Sequence, residues 1–202
     1  GLTHRHRHSG AQAEIAAWVA WLQARGAGAI TLLGHSRGGN QAAIYGRTRP
    51  HEAVRRLVLI APSTWTFEKA AKSYARRSKV PLSDLLARAD KLIAEGRGDQ
   101  LLEDVPFLHC PKARVAAATF AAYYAPKSDS FTPGLLPSVE PPVLVISGSA
   151  DTVVPDLAEA LQRLAPSKKI TMQVIEDADH FFRDLFAEDV ADAIAAFHKA
   201  PD

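Results

Sequence analysis

Residues 29–39 read Ala-Ile-Thr-Leu-Leu-Gly-His-Ser-Arg-Gly-Gly, the most informative pattern in the chain. The apolar run over residues 29–33 is too short for a helix and predicts a buried strand. Small residues with good helix propensity follow over residues 41–45 and predict a helix. Between the two lies a Gly-x-Ser-x-Gly turn with Ser36 at its centre, the strand–turn–helix context in which this motif presents a nucleophile.

A serine in this turn is held in strained backbone, and the residues two positions away on each side must be small. Gly34 and Gly38 meet that requirement. The turn raises the Ser36 hydroxyl beyond the end of the strand, near a helix N-terminus, where the backbone N–H of Arg37 can face an oxyanion. An incidental serine in a glycine-rich turn is the alternative interpretation.

Three more apolar runs predict buried strands, over residues 56–61, 142–147 and 169–175. Residues with helical spacing separate the last two runs, and another helical pattern ends the chain. Near-continuous apolar strands that alternate with helices are typical of an α/β fold, in which helices cover both faces of a mostly parallel sheet.

The stretch over residues 62–141 interrupts this alternation. It contains helical patterns, the last of them over residues 111–125, and no convincing strand. We therefore expect an all-helical cap over residues 62–141, inserted into a core that consists of residues 1–61 and 142–202.

Two loops after predicted strands contain residues able to activate a serine. A serine hydroxyl is a poor nucleophile and needs a base that is oriented by an acid. Asp151 follows the strand over residues 142–147, and His180 follows the strand over residues 169–175. Because ligands in open parallel sheets bind beyond the carboxyl ends of the strands, we expect both side chains near Ser36.

The composition excludes several classes of protein. Apolar residues make up 47% of the 202 residues and charged residues 23%, as in ordinary globular proteins. Lys and Arg number 24 against 22 Asp and Glu, a balance that does not predict a nucleic-acid partner. No apolar run reaches the roughly 18 residues of a membrane span, and no secretory leader opens the chain, so we expect a cytoplasmic protein.

No pattern in the sequence predicts a metal or a cofactor. Metal-ligand spacing, a dinucleotide fingerprint and a phosphate loop are all missing from it. The alternating His4, His6 and His8 are more typical of a solvated loop than of a metal clip. Cys110 is the single cysteine, and we interpret it as a small core residue rather than as a thiol nucleophile.

Three motifs taken together resemble the α/β-hydrolase superfamily of serine esterases and lipases. They are GHSRGG at residues 34–39, GSADTVVP at residues 148–155 and DADHFF at residues 177–182. The resemblance extends over about residues 11–200. It implies that Ser36 is the nucleophile, Asp151 the acid and His180 the general base, and that the reaction cleaves a carboxylic ester or a related acyl compound through an acyl-enzyme.

Three other carboxylates lie close to these motifs and are rival candidates for the acid. Asp156 falls in the next predicted helix, while Asp177 and Asp179 crowd His180 without the loop that the superfamily uses. Asp151 is the preferred candidate on that comparison.

The chain departs from the superfamily before the strand that carries the nucleophile. Members have several more strands there, and a loop after one of them supplies a second oxyanion N–H; this chain has only residues 1–28. The resemblance therefore implies a fold that is incomplete at its N-terminus. The edge of the strand over residues 29–33 is left unpaired, and we expect a second copy of this chain or an N-terminal segment to cover it.

The partner implied by this chemistry is a small-molecule acyl substrate. Four residues are candidates to contact it: His35, Trp65, Tyr123 and Tyr124. The aromatic residues among them serve equally well as the core of the cap. The same triad also supports acyl transfer and thioester, lactone or C–C bond cleavage. A non-catalytic binding or assembly module derived from a hydrolase is the alternative of a different class.

Overall fold

The computed structural model describes residues 3–4, 10–49, 51–108, 110–126 and 129–200, which contain seven strands and seven α-helices. The order along the chain is β1 (Thr3–His4), α1 (Gly10–Gln23), β2 (Ile30–His35), α2 (Arg37–Thr48), β3 (Val54–Ile60), α3 (Phe67–Arg77), α4 (Leu82–Ala94), β4 (Leu101–Phe107), β5 (Cys110–Ala116), α5 (Ala117–Tyr124), β6 (Val143–Gly148), α6 (Leu157–Gln162), β7 (Ile170–Ile175) and α7 (Leu185–Lys199). Two short 3-10 helices, Thr132–Gly134 and Leu136–Ser138, precede β6.

Contacts among the described residues divide the chain into two units. One combines Gly1–Ala13 with Trp65–Ser128, and the other combines Glu14–Thr64 with Asp129–Asp202. The second, larger unit contains β2, β3, β6 and β7. All of the predicted triad residues belong to this larger unit.

The larger unit is built on a four-stranded parallel sheet in the order β2-β3-β6-β7. In the inner strand β3, Leu57, Val58 and Leu59 are fully buried, and in β6 every residue from Val143 to Ser147 is buried. Successive side chains of a strand point to opposite faces, so this continuous burial requires cover on both faces. The predicted α/β class with a parallel sheet is confirmed.

The strand order places β2 at one edge of this sheet. It pairs with β3 from Ile30 opposite Val54 to His35 opposite Ile60, and no strand among the described residues pairs with its other side. Leu33 is 56% exposed on this edge. The expected cover of this edge, by a second copy of the chain or an N-terminal segment, stays a prediction.

The smaller unit contains a three-stranded sheet in the order β1-β5-β4, together with α3, α4 and α5. Its hydrophobic core contains three fully buried aromatic residues, Tyr74, Phe107 and Phe120, and the ring of Phe120 contacts the rings of the other two. It has its own cluster of buried residues, separate from the cluster of the larger unit.

The structure corrects the prediction that residues 62–141 are all helical and that residues 111–125 form one helix. The antiparallel strands β4 and β5 occupy the middle of this stretch, and α5 begins only at Ala117. Within β5, Ala113 and Val115 are buried while Lys112 and Arg114 are exposed. This period of two is the signal for a strand, which the helical interpretation overlooked.

The N-terminus differs from the predicted domain division as well. Thr3 and His4 form β1, which pairs in parallel with Arg114 and Val115 of β5 rather than with the larger sheet. Among the described residues, no helix combines the length and the apolar character that crossing a bilayer requires.

Candidate active site

Ser36 lies in the turn between β2 and α2, in a backbone conformation that is rare for a residue with a side chain. Its φ is 55° and its ψ is −119°. Such a conformation costs about 1–3 kcal/mol and persists only where the surroundings hold it. Here the Ser36 N–H donates to the Ile60 carbonyl at 2.8 Å, and the Ser36 carbonyl accepts from the N–H groups of Asn40 and Ser63, each at 3.3 Å.

The glycines of the turn have different roles. A Cβ on Gly34 would lie 2.4 Å from the carbonyl carbon of Gly38, and a Cβ on Gly39 would lie 3.1 Å from the Cβ of Pro62. A Cβ on Gly38 would meet nothing within 4 Å. The expectation that Gly38 must be small was therefore wrong, because this position faces outward from the first turn of α2. Gly34 and Gly39 are the positions where backbone segments approach closely.

The structure brings together the three residues predicted to form a triad. The Nε2 atom of His180 lies 3.0 Å from the Oγ of Ser36, and its Nδ1 atom lies 2.8 Å from the Oδ2 of Asp151. Asp151 and His180 are each only 5% exposed. A carboxylate can only accept a hydrogen bond, so Nδ1 carries the imidazole proton and Nε2 is left to accept from the serine hydroxyl.

Asp151 is oriented by the backbone of its own loop. Its Oδ1 atom accepts from the N–H groups of Val153 at 2.7 Å and Val154 at 3.0 Å. These two donors occupy one carboxylate oxygen and leave the other for His180. The carboxylate is thereby held in the orientation that presents Oδ2 to the imidazole.

Hydrogen bonds join the loop that carries Asp151 to the loop that carries His180. The N–H of Ala150 donates to the carbonyl of Ala178 at 3.1 Å, and the N–H of Asp177 donates to the Oγ of Ser149 at 2.8 Å. A Cβ on Gly148 would lie 2.3 Å from the Ala178 carbonyl oxygen. The close approach of the two loops therefore depends on the glycine that ends β6.

The rival carboxylates have other partners. Asp156 accepts from the hydroxyl of Thr64 at 2.8 Å, and the Oδ1 of Asp179 accepts from the N–H of Phe181 at 2.8 Å. Asp177 is exposed at the start of the loop that carries His180. Among these carboxylates, Asp151 is the one whose oxygen lies against His180 Nδ1.

Arg37 is the first residue of α2, the predicted place for an oxyanion donor. Its backbone N–H is at the start of the helix, where anions bind, and its role as an oxyanion donor stays a prediction. Ser36 is the residue before this helix, and its side chain makes no capping bond. The Ser36 hydroxyl therefore interacts with His180 instead of with its own helix.

The predicted substrate contacts have the following positions. The Nε2 of His35 lies 2.7 Å from the backbone oxygen of His180, a contact that the sequence pattern did not indicate. Tyr124 is buried in the smaller unit, where its hydroxyl accepts from the N–H of Leu108 at 2.9 Å. Tyr123 packs edge-on against Phe107 in the same unit. Both tyrosines thus contribute to the core of the smaller unit, and their contact with a substrate stays a prediction.

Trp65, Cys110 and the N-terminal histidines are the other residues that the sequence singled out. Trp65 is partly buried in the smaller unit, and its role in substrate binding stays a prediction. Cys110 is partly buried in β5 and packs against the core of that unit. His6 and His8 lie outside the described residues, and within those residues no group of three or more His, Cys, Asp or Glu side chains is placed to hold a metal ion.

Comparisons with known proteins show the family and the fold of this chain. A sequence profile of the Alpha/beta hydrolase family matches residues 2–197. No curated protein sequence matches the chain. Among solved structures, the monoacylglycerol lipase of Paleococcus ferrophilus is similar, with 20% identity, a TM-score of 0.64, and coverage of 96% of this chain and 76% of that chain.

Two further solved structures are similar to this chain. The alpha/beta hydrolase GrgF from Penicillium sp. sh18 has 12% identity and a TM-score of 0.61, over 93% of this chain and 70% of that chain. E-2-(acetamidomethylene)succinate hydrolase has 22% identity and a TM-score of 0.55, over 94% of this chain and 72% of that chain. At these identities the structural likeness shows the fold alone. The profile match covers nearly the whole sequence and supports a hydrolase, and on that match the chain belongs to the alpha/beta hydrolase family.

Proposed function

We propose that this chain is a serine hydrolase that cleaves a carboxylic ester, or a related acyl compound, through an acyl-enzyme on Ser36. The observation that carries the proposal is the continuous hydrogen-bonded series from the Ser36 hydroxyl through His180 to Asp151, with distances of 3.0 Å and 2.8 Å. A nucleophile within hydrogen-bond reach of a base that a third group orients is the geometry of nucleophilic catalysis by serine.

The first half of the reaction acylates the serine. The Oγ of Ser36 attacks the carbonyl carbon of the substrate while its proton passes to the Nε2 of His180. The imidazolium that forms is stabilised by the carboxylate of Asp151, and the oxyanion of the tetrahedral intermediate faces the N–H of Arg37. Collapse of the intermediate breaks the bond to the alcohol, which leaves with the proton from His180.

The second half releases the acyl group. Water gives up a proton to the Nε2 of His180 and attacks the acyl carbon, and the second tetrahedral intermediate collapses with return of that proton to the Oγ of Ser36. The products are a carboxylic acid and the alcohol, and the triad is restored.

Burial of the acid and the base strengthens this arrangement. Asp151 and His180 are both almost fully buried, and electrostatic interactions are stronger in such surroundings than in water. Ser36 is partly exposed and can meet a substrate. The site thus combines a buried acid and base with an accessible nucleophile.

Labelling with a fluorophosphonate probe, together with hydrolysis of an aryl ester, tests the proposal. We expect rapid labelling of the wild-type chain, and a loss of labelling and at least about 1000-fold lower turnover in Ser36→Ala. Ser167→Ala, which changes an exposed serine outside the site, is the matched control and keeps both activities. Equal labelling of Ser36→Ala and wild type would overturn the assignment of Ser36. Absence of labelling in the folded wild-type chain would favour a non-catalytic module.

A further inference from the structure

A second histidine contacts the triad from the strand that carries the nucleophile. His35 is the last residue of β2, directly before Ser36, and its Nε2 lies 2.7 Å from the backbone oxygen of His180. The ring centroids of the two histidines are 4.8 Å apart. Since a carbonyl oxygen only accepts hydrogen bonds, the Nε2 of His35 carries a hydrogen and donates it.

The loop that carries His180 needs such support because its backbone is strained. Asp177, Phe182 and Asp184 all have positive φ, at 59°, 47° and 55°. Non-glycine residues keep this conformation only where surrounding contacts impose it. The bonds from Ser149 and Ala150 hold the beginning of the loop, ahead of His180.

At His180 itself, the last residue of β2 donates a hydrogen bond to the backbone. Ser36 contacts the imidazole of His180, and the preceding residue, His35, contacts the carbonyl of the same histidine. Two consecutive residues therefore hold one residue at its ring and at its main chain. A change in the His35 bond would alter the distance between Ser36 Oγ and His180 Nε2.

We propose that His35 is a positioning residue that fixes the general base relative to the nucleophile. The inference rests on the proposed function and deepens it, because the sequence offered His35 as a candidate substrate contact or a packing residue and not as a support for the base. Its donor reaches the main chain of His180, so its effect on catalysis passes through the position of the base. Displacement of a catalytic group by about 1 Å can lower a rate about 100-fold.

Three variants of the full chain test this role. His35→Phe keeps an aromatic ring beside His180 and Phe181 but has no donor. His35→Gln keeps an N–H donor and removes the ring. Leu33→Gln changes an exposed side chain two residues earlier in β2 and is the matched control for a change in this strand. Each variant is compared with wild type by its melting temperature and by kcat and KM on an aryl ester.

We expect kcat to fall about 10- to 100-fold in His35→Phe while KM stays within about threefold. His35→Gln should restore kcat to within about threefold of wild type, since a single neutral hydrogen bond is conserved. Leu33→Gln should match wild type. Wild-type kcat in His35→Phe, or equal losses in His35→Phe and His35→Gln, would overturn the positioning role.

A measurement on the wild-type chain tests the hydrogen bond from His35 to the His180 carbonyl directly. NMR of isotopically labelled histidine at mildly alkaline pH should show His35 as the Nε2–H tautomer, and the Nδ1–H signal of His180 should broaden in His35→Phe. An Nδ1–H tautomer at His35 would overturn the inference. This measurement needs no turnover, so an inactive wild-type chain would count against the proposed function alone.

Discussion

The Nδ1 atom of His180 lies 2.8 Å from one carboxylate oxygen of Asp151, and the other oxygen of that carboxylate accepts the N–H groups of Val153 and Val154. Both oxygens of Asp151 therefore face donors. An asparagine at this position would have to turn its NH2 group toward one of them, and in either orientation donor would face donor.

The first prediction follows from this arrangement. Asp151→Asn should lower kcat by about 100- to 10,000-fold, because His180 loses either its orientation or the charge that stabilises its protonated form. Asp156→Asn is the matched control, because an amide oxygen can still accept from Thr64. Steady-state hydrolysis of an aryl ester checks both variants. Activity retained in Asp151→Asn and lost in Asp156→Asn would reverse the assignment of the acid.

The second prediction concerns the two glycines of the turn. Gly34→Ala should lower the free energy of unfolding by about 2–4 kcal/mol, because its Cβ would lie 2.4 Å from the backbone of Gly38 and force the turn open. Gly38→Ala should be neutral or stabilise by up to about 1 kcal/mol, because it replaces glycine in a helix where space is open. Urea unfolding of both variants makes the comparison, and an equal effect of the two changes would contradict it.

The third prediction concerns Tyr74 in the core of the smaller unit. Burial raises the pKa of Tyr74 from 10.0 to about 12, the nearby Tyr124 adds to the increase, and Ser78 and Arg77 oppose it. The unfolded chain ionises this tyrosine near its ordinary pKa while the folded chain keeps it neutral. The stabilising contribution is therefore complete below about pH 10 and is lost as the pH rises toward 12.

Tyr74→Phe tests this contribution. The variant loses the hydrogen bond from the Tyr74 hydroxyl to the carbonyl of Pro106, so it should be less stable than wild type at neutral pH by about 0.5–1.5 kcal/mol. The difference between the two proteins should shrink above pH 10, and chemical unfolding at a series of pH values measures it. A difference that stays constant through this range would show that Tyr74 ionises equally in both states.

The fourth prediction concerns the open edge of β2. This strand contains no Pro or Lys, and Leu33 is exposed on it, while Trp18 and Trp21 are exposed on the preceding helix α1. Unpaired strand edges that are not protected by proline or by charged residues such as lysine bind other strands. We therefore expect the 202-residue chain to self-associate through β2 at micromolar concentration.

Light scattering after size-exclusion chromatography measures the association. Leu33→Lys should weaken it, because a charge on an edge strand opposes pairing with a second edge. Ile93→Lys adds the same charge at an exposed position of the smaller unit and should leave association unchanged. A soluble 21.8 kDa monomer for the wild-type chain would contradict the prediction.

Patterns within short segments were enough to predict the framework of the larger unit. Each apolar run became a strand of the parallel sheet, and the glycines around Ser36 marked the turn between β2 and α2. A strand that is buried on both faces is a continuous apolar run, and a strained turn requires small residues nearby. Both features are therefore visible within a short segment of the sequence. The hairpin of β4 and β5 was missed because its alternation is short and lies among helical patterns.

Contacts between particular atoms of distant segments could not be predicted from patterns within short segments. Ser36 and His180 are 144 residues apart, and their approach depends on the order of the strands and on how far each loop extends. The sequence favoured Asp151 over Asp156 and Asp179 by its place in a loop after a strand, but the donors that face each carboxylate are present only after folding. The bond from His35 to the main chain of His180 leaves no trace in composition or periodicity, because a carbonyl belongs to every residue. Residue types and their periodicity thus determined the sheet, the candidate nucleophile and the preferred acid. The hydrogen bonds of the triad and the support of the base were decided by tertiary packing, which alone brings particular atoms within hydrogen-bond distance.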